Sequence, residues 1–184
     1  MGIISVIIVL LCICVDNMVS ANMSALKLNK DNKSVFSVKM ALFFTGFNVV
    51  LFGLGYLASL VLHGWVYFAH NWVAFAFLLL LGIKLMLESI EKSPSFADMD
   101  VGNTGKLIKV SALLGMNSLM VGYVLQTMER AFFPEVLLLL IITFLITLLG
   151  THLGGVHHKN LVSKKIELVA GIILIIMAIR LIVI

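Results

Sequence analysis

Asp16 stands inside an apolar run, LCICVDNMVSANMS, flanked by Asn17, Ser20 and Asn22. A carboxylate near a membrane centre costs about 2.5–3.5 kcal/mol on insertion scales. That cost predicts a cation or proton site at Asp16, unless the acid is protonated and simply bonded to a neighbouring helix. Cys12, Ser20 and Met23, at i−4, i+4 and i+7, share its helical stripe. Asn48 and Asn117 lie deep in two other apolar runs. Each either offers a carbonyl oxygen to a cation or bridges two helices. The reading is a metal site of Asp16, Asn17, Asn48 and Asn117, with Ser20, Met120 and Thr143 in outer positions.

Other polar residues carry less. Thr143, Thr147 and Thr151 recur every four residues beside Gly150 and Gly154, a stripe that suits close helix contact. Met18, Met116 and Met120 flank the two central polar positions; they are packing residues or, beside an oxygen site, a preference for a softer transition metal. His157-His158 falls in a loop, and His63, His70 and His152 have no metal-ligand spacing. Gly102-Asn103-Thr104-Gly105-Lys106 imitates a phosphate loop, but Asp100 replaces its first glycine and Leu107 its hydroxyl residue. No nucleophile and base are arranged for an enzyme, and no cofactor is implied.

Only 12% of the 184 residues are charged and 61% are hydrophobic, with a mean hydropathy of +1.15. A soluble domain carries about twice that charge, so the expectation is an all-α integral membrane protein in the lipid bilayer. The net charge of +4 is dispersed over short loops and forms no nucleic-acid face. Six segments of about 20 residues qualify as spans: 2–26, 36–62, 67–90, 107–128, 132–154 and 163–184. Together they make one transmembrane domain over 1–184. Cys12 and Cys14 point about 200° apart on a helix, so no disulfide is expected between them. The N-terminal run lacks a basic lead and a small-residue cleavage pattern and reads as a true helix.

Lysines predict orientation. Lys27, Lys30, Lys33 and Lys39 mark the first loop, Lys92, Lys106 and Lys109 the third, and Lys159, Lys164 and Lys165 the fifth; the second has no Lys or Arg and the fourth only Arg130. The odd loops are then cytoplasmic and both termini outside. The sequons at Asn22 and Asn32 would face the wrong side for glycosylation.

The halves resemble each other: repeat 1 over 1–90, a cytoplasmic linker over 91–105 and repeat 2 over 106–184. Asp16-Asn17-Met18-Val19 matches Asn117-Ser118-Leu119-Met120, Gly55 matches Gly150, Asn48 matches Thr143, and Gly82-Ile83-Lys84-Leu85 matches Ala178-Ile179-Arg180-Leu181. Three spans per half make the repeats inverted, a recurring transporter plan with a polar site near the midplane.

These residues resemble the bacterial manganese efflux pump (MntP) family, within the lysine-exporter-like superfamily. CVDNMVSANMS resembles the family's Asp motif. HNWVAFAFLLLLGIKLMLES carries its Trp72, Gly82, Lys84 and Glu88, and LGTHLGG with SKKIELVAGIIL its Gly150, Lys164, Lys165, Glu167 and Gly171. The chain departs where the family has Glu (here Asn48), Pro (Phe52) and a second Asp (Asn117). The resemblance implies a six-helix secondary exporter of Mn(II) in the bacterial inner membrane; with no ATP site in the sequence, proton entry, exchanged for metal at Asp16, is the expected energy source. A site with one carboxylate also suits a monovalent cation or small amine-bearing solute. A transport-inactive scaffold, working with a membrane protein partner or as a homo-oligomer, is a third reading.

Overall fold

In the computed structural model the chain is all-helical, and the structure describes residues 3–25, 33–63, 70–90, 104–153 and 160–183. The helices are α1 (Ile3–Ala25), α2 (Lys33–His63), α3 (His70–Ile90), α4 (Thr104–Thr127), α5 (Phe132–Leu153) and α6 (Asn160–Val183). Most of the linker at 91–105, and the His157-His158 pair, lie outside the described residues. The predominantly apolar sequences of the six helices leave the backbone no partner but itself in lipid, which is why each run closes as a helix. Pro134 falls in the first turn of α5, where its missing N–H costs nothing.

Among the described residues, five helices hold a stretch long and apolar enough to cross a membrane. The sixth, α6, carries Lys164, Lys165 and Glu167 near its start and Arg180 near its end, around an apolar middle. Its apolar middle still packs along α3, so α6 belongs to the bundle. The most extensive pairings are α2 with α4, α3 with α6, and α1 with α5, followed by α2 with α5, α1 with α6 and α3 with α4. Small residues make these crossings close, because apolar burial drives no helix association in lipid and backbones must approach for van der Waals contact. Gly55 of α2 lies against the Leu119 backbone of α4, and Gly150 of α5 against the Met18 backbone of α1. Gly82 of α3 and Gly171 of α6 face each other's carbonyl oxygens. That crossing pairs Gly82 with Gly171, seven residues from the Ala178 match read in sequence.

The apolar interior joins Leu10, Ile13 and Cys14 of α1 to Phe52, Leu78, Leu81, Val124, Leu139 and Leu174. A smaller cluster gathers Ala21, Met40, Phe44, Leu107 and Leu114. Cys12 and Cys14 are both free and buried. Large apolar residues such as Leu57, Leu87, Leu137 and Ile176 face outward, as a lipid-facing surface requires.

α4 ends in a tight cap: Arg130 N–H donates to Leu125 O (3.1 Å) and Glu129 N–H to Gln126 O (2.8 Å). This is a Schellman motif, yet the left-handed position is Glu129, with φ 54°. A side chain there costs about 1–2 kcal/mol that glycine escapes. Glu129→Gly is therefore expected to stabilise the protein by about 0.5–1 kcal/mol after the entropy of the freer unfolded chain is subtracted, read as a raised thermal midpoint in detergent.

Candidate functional site

The polar centre is built where α1, α3 and α4 meet. Asp16 is 2% exposed and Asn117 3%. The amide of Asn117 donates to Asp16 Oδ2 at 2.6 Å. Lys84 of α3 brings its ammonium to the same Oδ2 at 3.0 Å and to Asn117 Oδ1 at 3.1 Å. It also lies 3.4 Å from Glu88 Oε1, one turn along its own helix. One turn of spacing puts Lys84 and Glu88 on the same face of α3.

α4 links this centre to α2. Asn117 faces Asp16, while its neighbour Ser118 donates to Asn48 Oδ1. Asn48 spends its amide on Phe44 O at 2.7 Å, so its carbonyl is held toward α4. Removing that hydroxyl strands a buried acceptor, so Ser118→Ala should cost about 1 kcal/mol of stability. A thermal melt in detergent checks it.

Several buried atoms have no hydrogen-bond partner: Asp16 Oδ1, both side-chain heteroatoms of Asn17 and Ser20 Oγ on α1, and Thr45 Oγ1 on α2. Buried polar atoms are almost always satisfied, so this grouping is unusual. All but Thr45 lie within two turns of α1, at i, i+1 and i+4. Among the described residues no three His, Cys, Asp or Glu side chains form a metal cluster. The available donors are one carboxylate plus neutral amide and hydroxyl oxygens, a hard-oxygen set of modest charge.

The structure thus brings Asp16 and Asn117 together, with Asn17 and Ser20 buried on the same turns of α1. It joins Asn48 to them through Ser118. Thr143 turns elsewhere, its hydroxyl 3.3 Å from Cys14 Sγ. Met120 is half-buried at the margin of the apolar core, whereas Met116 is 48% exposed and points away.

Sequence alone points to Asp16 as the one acid near the centre, whereas the structure buries a further carboxylate beside it in the bundle. Glu167 of α6 is buried and interacts electrostatically with Asp16, Glu88, Lys84 and Lys164. Lys84 and Glu88 were legible as an i, i+4 ion pair, but nothing in their spacing told which helix they face. Ser118 and Thr45 gave no signal, since Ser and Thr in apolar helices ordinarily bond their own backbone, as Ser111 and Thr147 do here.

A family model described as "Putative manganese efflux pump" matches residues 31–182. The match begins after α1, so Asp16 lies outside it. Curated relatives include the "Putative manganese efflux pump MntP" of Crocosphaera subtropica, 27% identical over 142 residues, covering 76% of this chain and 74% of that one. The protein of the same name from Gloeothece citriformis is 26% identical over 150 residues, 82% of this chain and 76% of its own length. A third, from Desulfitobacterium hafniense, is 28% identical over 139 residues, covering 76% and 72%. No solved structure matches the chain. An apolar bundle with a buried polar centre and a family match over most of its length is a multi-pass membrane protein, and the chain belongs to the family described as "Putative manganese efflux pump".

Proposed function

We propose that the chain is a secondary exporter of divalent metal cations, Mn²⁺ foremost, with the ion carried between α1 and α4. The observation that carries this reading is the buried Asp16, whose Oδ1 has no hydrogen-bond partner, like the buried side-chain polar atoms of Asn17 and Ser20 on the same stretch of α1. Asp16 supplies the charge; Asn17, Asn117 and Asn48 supply neutral oxygens. Manganese itself comes from the names of the relatives. A carried ion must leave as readily as it enters, and a site with few charges meets that need.

The helix pairings support two inverted three-helix repeats. Exchanging α1 with α4, α2 with α5 and α3 with α6 maps the α2–α4 crossing onto α5–α1 and α1–α6 onto α4–α3. The same exchange maps Gly55 against Leu119 onto Gly150 against Met18. The lysine-rich loops then face the cytoplasm and both termini lie outside, in the bacterial inner membrane.

Moving a divalent ion out against a negative interior costs about 4.6 kcal/mol per 100 mV. Proton entry is the coupling source in this reading, with Asp16 as the group that exchanges proton for metal. The test is Mn²⁺ flux into proteoliposomes of purified protein, with and without a pH gradient and against competing Mg²⁺, Na⁺ and K⁺. Gradient-driven Mn²⁺ flux is expected. Folded protein that moves no Mn²⁺ would overturn the exporter reading in favour of another solute or a scaffold role.

A further inference from the structure

The Lys84 ammonium is within 3.0 Å of Asp16 Oδ2 and 3.1 Å of Asn117 Oδ1. Oδ2 belongs to the carboxylate whose free Oδ1 is assigned above to the cargo, and Asn117 Oδ1 is another of the assigned oxygens, so a positive charge already neutralises the group the cargo would use. The side chain that holds it has somewhere to go. Glu88 Oε1 is 3.4 Å from the same nitrogen, and the Lys84 and Glu88 side chains are 38% and 21% exposed, against 1% for Asp16. A flexible four-carbon stem can withdraw its charge to Glu88 without leaving it unpaired.

We propose that Lys84 is a tethered competitor and the specificity-determining residue of the site: its ammonium fills the cation position on Asp16 and Asn117 until a divalent ion displaces it to Glu88. This rests on the exporter reading. A monovalent ion brings the same charge as the ammonium it must evict, so the exchange offers it little. A divalent ion doubles the attraction to the carboxylate. The tether therefore selects for charge without a second acid, and it compensates in that respect for Asn48 and Asn117. It also keeps Asp16 neutralised when no metal is bound, because a lone buried carboxylate is costly. Loading then begins only at metal concentrations high enough to evict the ammonium, a useful threshold for an efflux device.

The test is calorimetric binding of Mn²⁺, Na⁺ and K⁺ to the full-length protein in nanodiscs, with thermal melts as the fold check. Lys84→Met is expected to tighten Mn²⁺ binding about tenfold or more and to let Na⁺ or K⁺ compete. Lys84→Arg, which restores a charged head, should reverse most of that shift. Glu88→Gln pushes the other way: it removes the resting place of the displaced ammonium, so Mn²⁺ binding should weaken severalfold even if Lys84→Met fails to fold. Unchanged or weaker Mn²⁺ binding in folded Lys84→Met, or Glu88→Gln that binds as wild type, would overturn the proposal while leaving the exporter reading in place. Wild-type and variant proteins that all bind no Mn²⁺ would overturn both.

Discussion

Asp16→Asn is expected to reduce Mn²⁺ flux to background while the protein folds normally. The two side chains have the same shape, and Asn retains an oxygen for Lys84 and Asn117 to approach. What disappears is the full negative charge at the centre. At an effective dielectric of about 20, a unit charge pair at 4 Å is worth about 4 kcal/mol, and a divalent ion doubles it. Even half of one such term is a loss of more than tenfold, and the whole is about a thousandfold. Stability should change little, because Lys84 keeps Glu88 as an ionic partner when Asp16 is neutral. Flux in proteoliposomes and a melt of the same preparation check the two halves of this prediction. Retained flux would remove Asp16 from the mechanism; a collapsed melt would make its role structural.

Substituting Gly55 is expected to have the largest effect on assembly. A Cβ at this position would run into the Leu119 carbonyl oxygen of α4, and backbone cannot rotate out of the way as a side chain can. Gly55→Leu should therefore separate α2 from α4 and, with them, Asn48 from Ser118. Overpacking of a close contact costs about 1–3 kcal/mol when neighbours yield, and here they do not, so the bundle is expected to lose cooperative melting. Gly46 on the same helix is the control: nothing lies within 4 Å of its added Cβ. Gly46→Ala should be neutral or slightly stabilising, since alanine is the better helix former by about 1 kcal/mol. Equal behaviour of the two variants in thermal melts would contradict the assigned α2–α4 contact.

The helices were legible because lipid imposes both length and apolarity on a span, and the sequence boundaries of α5 and α1 fall within one residue of those observed. α6 read as a span for the same reason, its charges lying near the two ends of an apolar middle. Asp16 and Asn117 were legible by type, since an acid or amide inside an apolar run carries a cost that a partner must offset. The two residues, matched in sequence, meet in the structure across α1 and α4. Lys84 was harder. A basic residue toward a helix end reads as one reaching for the interface, and only the packing of α3 beside α4, with the reach of the Lys84 side chain, brings its ammonium onto Asp16. Thr143, matched in sequence to Asn48, has a different partner: it faces Cys14, whereas Asn48 faces Ser118.

The central claim is that the carried ion sits on Asp16 between α1 and α4. Anomalous diffraction at the manganese edge, from crystals of the full-length protein grown with Mn²⁺, tests it directly. The predicted result is one peak within coordination distance of Asp16, next to Asn117 and Asn17, with the Lys84 ammonium drawn back to Glu88. A peak confined to the loop pair His157-His158 or to Glu167, with Lys84 still on Asp16, would contradict it.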